Sequence, residues 1–303
     1  MPKILITGSA GFLGANLVRH ILSNYKLPVI GIDRLDNIAC IHNVYMNKSS
    51  EFYLADCRDY NILNRIFELN KPDYVIHLAE TKAEPGQTID GFYNIIQACR
   101  LFGIKKLLFV SSVKVYDKAI PGKKTETSRT DPEWYADDVR NSVKMSNESI
   151  LKSQANGFIY NIARPAEIFG PRNHAGILPQ MFIEMKNNGK ISLPNKGNII
   201  RDILHVEDFC AAIMLILLGG GKNEIYNVSG GVDFTDLEIA NMVRETVIGS
   251  KGIIEFSDKT IDDPYIEVDA TKLRELGWKP TRKFKDRVKD TLLWYSNNSW
   301  FFR

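Results

Sequence analysis

The chain opens on an apolar run, Lys3-Ile4-Leu5-Ile6-Thr7, that breaks into glycines at positions 8, 11 and 14 and resumes as a helix of apolar period from Ala15 to Leu22. Few folds accept that order. A buried strand ending in Gly8 can turn sharply, Gly11 lets backbone approach a diphosphate, and Gly14 lets the helix lie close to the sheet. The first amides of the helix, with its positive dipole end, then face the phosphates. A second apolar run, Pro28 to Ile32, ends in Asp33, roughly twenty residues beyond the last glycine, where a carboxylate binds a ribose diol and repels a 2′-phosphate. The expected cofactor is therefore NAD rather than NADP, with Arg34 next door as the one residue that would accommodate a phosphate.

Alternation of apolar runs with helical periodicity through the first half predicts an α/β protein with a Rossmann-type, doubly wound parallel sheet. Strands are expected at 3–7, 28–33, 51–54, 73–78, 106–111 and 157–163, and helices at 12–23, 59–69, 88–102 and about 135–155. Right-handed crossovers then bring Gly8, Asp33, Asp56, His77, Ser111 and Arg164 to one crevice. Beyond Arg164 the alternation loosens. Helices are expected at 176–188, 206–218, 235–247, 270–276 and 283–296, strands at 190–193, 225–228 and 253–256, and a further segment at 199–204. This divides the chain into a cofactor-binding domain, 1–164, and a smaller C-terminal α/β substrate-binding lid, 165–303, some of whose segments can return to the first domain.

A net charge of +3 over 303 residues is too small and too dispersed for a nucleic-acid partner. The longest apolar run, Phe209 to Leu218, falls far short of the roughly twenty residues a membrane span needs, so no membrane partner is expected. Cys40, Cys57, Cys99 and Cys210 lack metal-type spacing and lie in or beside apolar runs, and no cleavable signal precedes the first strand. A metal-free cytoplasmic protein with reduced thiols is expected.

Further motifs follow in order: Ala55-Asp56-Cys57-Arg58-Asp59, His77-Leu78-Ala79, Val110-Ser111-Ser112-Val113-Lys114-Val115-Tyr116, Ala163-Arg164-Pro165 through Gly170-Pro171-Arg172, Arg201-Asp202-Ile203-Leu204-His205-Val206-Glu207-Asp208, Tyr226-Asn227-Val228-Ser229-Gly230-Gly231 and Leu276-Gly277-Trp278-Lys279-Pro280. Together with the opening glycines, the set resembles the extended short-chain dehydrogenase/reductase superfamily, in its NAD-dependent epimerase/dehydratase branch acting on nucleotide sugars. The resemblance implies cofactor contacts from Gly8, Gly11, Phe12, Leu13, Gly14, Asp33, Arg34, Asp56, Cys57, Leu78, Ala79 and Lys144. Asp56 would accept from the adenine amino group. It implies a nucleotide-diphosphate sugar as substrate, with Arg201 on the diphosphate and Arg172 also on the substrate side; the alternative for Arg201 is a surface ion pair with Asp202. Tyr116 and Trp278 read as packing residues. A homodimer through the helices 88–102 and 135–155 is the family default, with Ile95, Ile96, Leu101, Val143, Ile150 and Leu151 as its apolar residues, which intramolecular packing would equally explain.

The resemblance breaks at the reacting end. Oxidation of a sugar hydroxyl needs removal of its proton, and the family uses a tyrosine four residues before a lysine, with a Ser or Thr beside it. Lys144 matches the lysine and Ser112 the hydroxyl, but the position four before Lys144 is Arg140, a donor without an acceptor. Loss of such a base costs about 10²–10⁴ in rate. Tyr135 is the nearest phenol, nine positions before Lys144, half a turn out of phase on a continuous helix, so it serves only if it precedes the helix. Glu167 stands where the family carries an asparagine, and the stretch from Glu80 to Gly91 is shorter than the family's by about a dozen residues. Val113 and Lys114 occupy the Asp-Glu positions of 4,6-dehydratases, which argues against dehydration. The expected activity is an NAD(H)-dependent nucleotide-sugar epimerase or 4-ketoreductase with Lys144 and Ser112 retained, its proton handled by Tyr135, Glu167 or another group; a ketoreductase could draw on Ser112, Arg140 or solvent, with Arg140 stabilising an alkoxide. The alternative is a catalytically silent binder of NAD and nucleotide sugar acting as sensor or scaffold.

Overall fold

In the computed structural model, which describes residues 1–36, 38–46, 51–80, 85–131, 139–261 and 265–302, the apolar runs of the first half form strands and the amphipathic runs helices. In order these are β1 (Ile4–Thr7), α1 (Phe12–Asn24), β2 (Val29–Asp33), α2 (Ile38–Met46), β3 (Glu51–Leu54), α3 (Tyr60–Asn70), β4 (Tyr74–His77), α4 (Pro85–Leu101), β5 (Lys106–Val110), α5 (Val139–Gln154) and β6 (Ile159–Pro165). β7 (Glu167–Phe169), α6 (Ile177–Asn188), β8 (Lys190–Leu193), β9 (Ile200–His205), α7 (Val206–Gly219), β10 (Glu224–Val228), β11 (Asp233–Thr235), α8 (Asp236–Val247), β12 (Ile253–Phe256), α9 (Thr271–Glu275) and α10 (Phe284–Asn297) follow. The sequence reading lacked α2, β7 and β11. The two strands are three residues long and too short for a period of two to show.

Among the described residues, seven strands form one parallel sheet in the order β10-β6-β5-β4-β1-β2-β3. Strand order reverses at β1, the switch point beside which doubly wound sheets bind ligands. Thr7 is registered between Ile32 and His77, so Gly8, Asp33 and Leu78 leave the sheet side by side. β1, β2 and β5 are buried along nearly their whole length, as a sheet covered on both faces requires. One face packs on α1 and α7, with Ile4, Ile6, Leu17, Phe209 and Ile213 at its centre. The other packs on α3, α4 and α5 through Leu63, Phe67, Phe92, Ile96 and Leu151.

The boundary at 164/165 is crossed by packing. α7 covers the main sheet and β10 pairs with β6 as its seventh strand, while Leu273 and Trp278 join the same core. α6, α8, α10 and β8 form a separate core around Met181, Phe182, Ile239 and Tyr295. The buried Lys106 ammonium of β5 donates to the carbonyls of Ile216 and Gly220 at the carboxyl end of α7, where the helix dipole favours a cation; burial lowers its pKa.

Of the residues expected at a dimer interface, Ile95, Ile96, Val143 and Leu151 are core residues, used inside the subunit where α4 meets α5. Leu101 is exposed. Cys40, Cys99 and Cys210 are buried and, like Cys57, carry free thiols. No helix among the described residues is long and apolar enough to cross a membrane.

Candidate functional site

Gly8 takes φ +69°, open to glycine, and a Cβ there would lie 2.8 Å from the Ala79 nitrogen. At Gly14 a Cβ would meet the Gly8 carbonyl oxygen at 2.1 Å, so only glycine lets α1 sit this close to the turn. Gly11 differs. Apart from its immediate neighbours, a Cβ there would meet, among the described residues, only the Gly8 oxygen, at 3.4 Å. It caps α1 without a side-chain bond and no acid occupies the first helical turn, leaving the end of the helix open to an anion. These residues fit a dinucleotide pyrophosphate.

From this turn a cleft runs along the sheet edge, lined by Gly8, Asp33, Arg34, Asp36, Asp56, Cys57, Ala79 and Glu80, with Gln87, Thr88 and Gly91 of α4 closing it. Asp33 accepts from the Ala10 amide at 3.0 Å and the Leu35 amide at 2.9 Å, tying the glycine turn to the end of β2. Asp56 is more heavily engaged. Its Oδ2 accepts from Arg58 at 2.7 Å and from Arg34 at 3.1 Å, and the Arg58 guanidinium, with Arg34 behind it, holds the carboxyl down at about 2. Arg34 is also bonded to Asp36 at 2.6 Å and Gln87 at 3.3 Å. With its fork on two carboxylates, and Asp33 beside it, this arginine is poorly disposed to take a 2′-phosphate.

Leu78 and Ala79 lie against Gly8, and the cleft continues past them into a pocket lined by Glu80, Thr88, Phe109, Val110, Val143, Lys144 and Asn147. The Lys144 ammonium donates to the Val110 carbonyl and pairs with Glu80 Oε2, each at 3.2 Å. His77 forms the floor. Its Nδ1 is 2.7 Å from the Thr7 hydroxyl, its ring lies against Phe92 with Phe109 beyond, and burial, then the Lys144 charge, pushes its pKa down to about 3. Ser112, after β5, accepts from the Lys114 amide at 3.1 Å and caps a 3-10 turn at Val113–Val115.

Beyond Ser112 a second cleft is lined by Val113, Lys114, Lys118, Glu167, Ile200, Arg201, Asp202, Tyr265 and Ile266. Arg201 pairs not with Asp202 but with the buried Asp236, at 2.5 and 3.2 Å, and with Glu167 at 3.3 Å. Asp202 turns inward, where burial, then Asp233, raises its pKa to about 7.

Three expectations need correction. Arg172 is placed away from both clefts, 2% exposed behind the glycine turn, where its Nη1 donates to Asn16 of α1 at 3.3 Å. Arg164 does not reach the crevice either. It is bonded to Glu148 of α5 at 2.9 and 2.6 Å and lies over the Tyr116 ring. Arg140 is exposed on the first turn of α5 and lines neither cleft. Tyr135 falls outside the described residues. Tyr116 and Trp278 are packed, bonded to Asn227 and to the Asp208 carbonyl. Glu80, Gln87 and Asp236 escaped the sequence reading because their partners lie 64, 53 and 35 positions away.

The sequence profile of the NAD dependent epimerase/dehydratase family matches residues 4–229. The low-salt glycan biosynthesis protein Agl12 of Haloferax volcanii is 29% identical over 96% of this chain and 98% of its own. Among solved structures, the UDP-glucose 4-epimerase of Thermotoga maritima with UDP-glucose superposes with a TM-score of 0.86 at 26% identity, covering 98% of this chain and 99% of that one. The dTDP-glucose 4,6-dehydratase DesIV of Streptomyces venezuelae, with NAD bound, gives 0.84 at 26% identity over 99% of both.

Proposed function

Because the chain belongs to the NAD dependent epimerase/dehydratase family, we propose that it binds NAD along the first cleft and a nucleotide-diphosphate sugar along the second, and interconverts sugar hydroxyl and ketone as an epimerase or 4-ketoreductase. One observation carries the reading: Gly8, Asp33 and Asp56 line one cleft, and that cleft shares Ala79, Glu80 and Thr88 with the pocket that holds Lys144. NAD bound there supplies hydride exchange. Gly8, Gly11 and the first turn of α1 would hold its pyrophosphate, Asp33 a ribose and Asp56 the adenine. Lys144 and Ser112 would orient the reacting end. Arg201 would hold the substrate diphosphate, for which its planar fork is suited, and Glu167 would yield that fork when the diphosphate arrives. Lys114, in the second cleft, is a cation where a dehydratase keeps an acid, which speaks against elimination of water.

A homodimer through the outer faces of α4 and α5, where Tyr93, Leu101 and Val139 are exposed, belongs to the same reading and is checked by light scattering. The catalytically silent alternative finds support in one feature: Lys144 and Arg201 are both engaged by the chain's own carboxylates. To decide, the purified protein is denatured and the supernatant assayed for NAD and NADH. The native protein is then incubated with UDP-, GDP-, dTDP- and CDP-sugars, and product mass and absorbance at the NADH band are followed. A changed sugar or a transient of reduced cofactor is expected. Bound dinucleotide without either hands the site to the silent reading, and absence of dinucleotide binding refutes both.

A further inference from the structure

A hydroxyl that surrenders hydride from its carbon must lose its proton to an acceptor, and the described residues around Lys144 are poor in acceptors. Lysine and arginine only donate, and a serine hydroxyl is no base without a partner that takes its proton on. Buried His77 has its Nδ1 on the Thr7 hydroxyl and its ring against Phe92, and Glu167 is paired with Arg201 in the second cleft. Of the carboxylates among the described residues of the inner pocket, Glu80 remains. It leaves the end of β4 beside the Gly8 turn, lines both the cofactor cleft and the inner pocket, and keeps a 28% exposed carboxylate 3.2 Å from Lys144.

On the reading that the chain oxidises and reduces a sugar, we propose that Glu80 is the proton-accepting group of the reaction, in the role the family gives to tyrosine. In oxidation the carbon–hydrogen bond breaks, with its electron pair going to the nicotinamide as hydride. The oxygen–hydrogen bond breaks, with its proton going to the Glu80 carboxylate, and a carbonyl forms. In reduction the same proton returns from the carboxyl to the new alkoxide. Lys144, anchored on the Val110 carbonyl, aims the carboxylate and balances its charge while it is ionised. Among the described residues, the other charged and titratable groups lining the cavities that Glu80 lines are His77 from β4 and, along the cleft, Asp33, Arg34, Asp36, Asp56 and Cys57.

The test uses the full chain with a nucleotide sugar found active in the panel above. Glu80→Gln is expected to lower the rate of cofactor reduction about 10²–10⁴-fold while leaving the NAD dissociation constant, from calorimetry, within about threefold of the unaltered protein. Glu80→Asp, which keeps the carboxylate and guards against misfolding of the amide variant, recovers part of the rate. Glu80→Gln within about threefold of the unaltered rate overturns the assignment. So does a collapse of NAD binding that accounts for the whole loss. A Tyr135→Phe variant that alone suffers the loss gives the role to the phenol and overturns it too. A protein that binds NAD yet converts no sugar overturns the function on which the assignment rests; one that turns over without needing Glu80 overturns the assignment alone.

Discussion

Gly11 and Gly14, three positions apart in one turn, should fail in opposite ways when each is given a methyl group. At Gly14 the added carbon lands 2.1 Å from the Gly8 oxygen, 2.7 Å from the Ser9 Cα and 2.9 Å from the Gly8 carbonyl carbon. All three are backbone atoms, so α1 must move off β1. Overpacking of this kind costs about 1–3 kcal/mol or more. At about 2–4 °C per kcal/mol for a chain of this size, Gly14→Ala should melt about 2–12 °C low. At Gly11 the backbone is extended, φ −67° and ψ 175°, and the only outside neighbour is at 3.4 Å, so the free protein should lose at most about 1 kcal/mol, the cost of alanine at a helix cap. Its methyl instead enters the space assigned to the pyrophosphate. NAD at a hundred times its dissociation constant stabilises by about 2.7 kcal/mol. A clash of about 1–3 kcal/mol weakens binding roughly 5- to 150-fold and cuts that gain by about a third or more. Thermal melts of the three proteins with and without NAD are sufficient. A Gly11→Ala protein that keeps its full NAD-induced rise, or a Gly14→Ala protein that melts with the parent, refutes the assignment of the turn.

Glu148→Gln strands the Arg164 guanidinium in the core and should cost about 3–5 kcal/mol at neutral pH. Burial pushes the Glu148 carboxyl up, but bonding to Arg164 carries it below its usual range. Its contribution is therefore present above the unfolded carboxylate pKa and fades as pH falls through the lower folded value, so urea melts of parent and variant should converge in acid. Asp202 runs the other way. Its folded pKa of about 7 means the native state holds an extra proton between about pH 4 and 7, so stability falls as pH rises through that window. Asp202→Asn should remove the slope and leave the variant ahead by on the order of 2–4 kcal/mol at pH 8; urea midpoints that track the parent at every pH would contradict this. Glu167→Gln releases one of the two carboxylates on Arg201, and UDP or dTDP should bind about 2- to 5-fold tighter by calorimetry, the value of a partly exposed pair; unchanged or weaker binding counts against Arg201 as the diphosphate contact.

The parts of this protein that backbone geometry dictates are written openly in its sequence. Gly8, Gly14 and the apolar strands allow few substitutes, so β1, α1 and β2 are found close to where periodicity puts them. Arg172 shows the limit. Its place in a recognisable motif suggested the substrate, whereas the structure spends it on Asn16. Partnerships such as Glu80 with Lys144 or Arg201 with Asp236 arise when strand ends from distant parts of the chain are brought together, and no spacing announces them.

The ammonium of Lys106 gives the order of the chain a consequence during synthesis. It leaves the ribosome more than a hundred residues before the carbonyls of Ile216 and Gly220 that receive it, and β10, the last strand of the sheet, follows later still. A nascent chain halted at residue 165 holds a cation against an uncovered apolar face and a strand edge with no neighbour. Cotranslational folding of this half should therefore stall until about residue 228 has emerged, and a separately expressed piece 1–165 should fold only when mixed with piece 166–303.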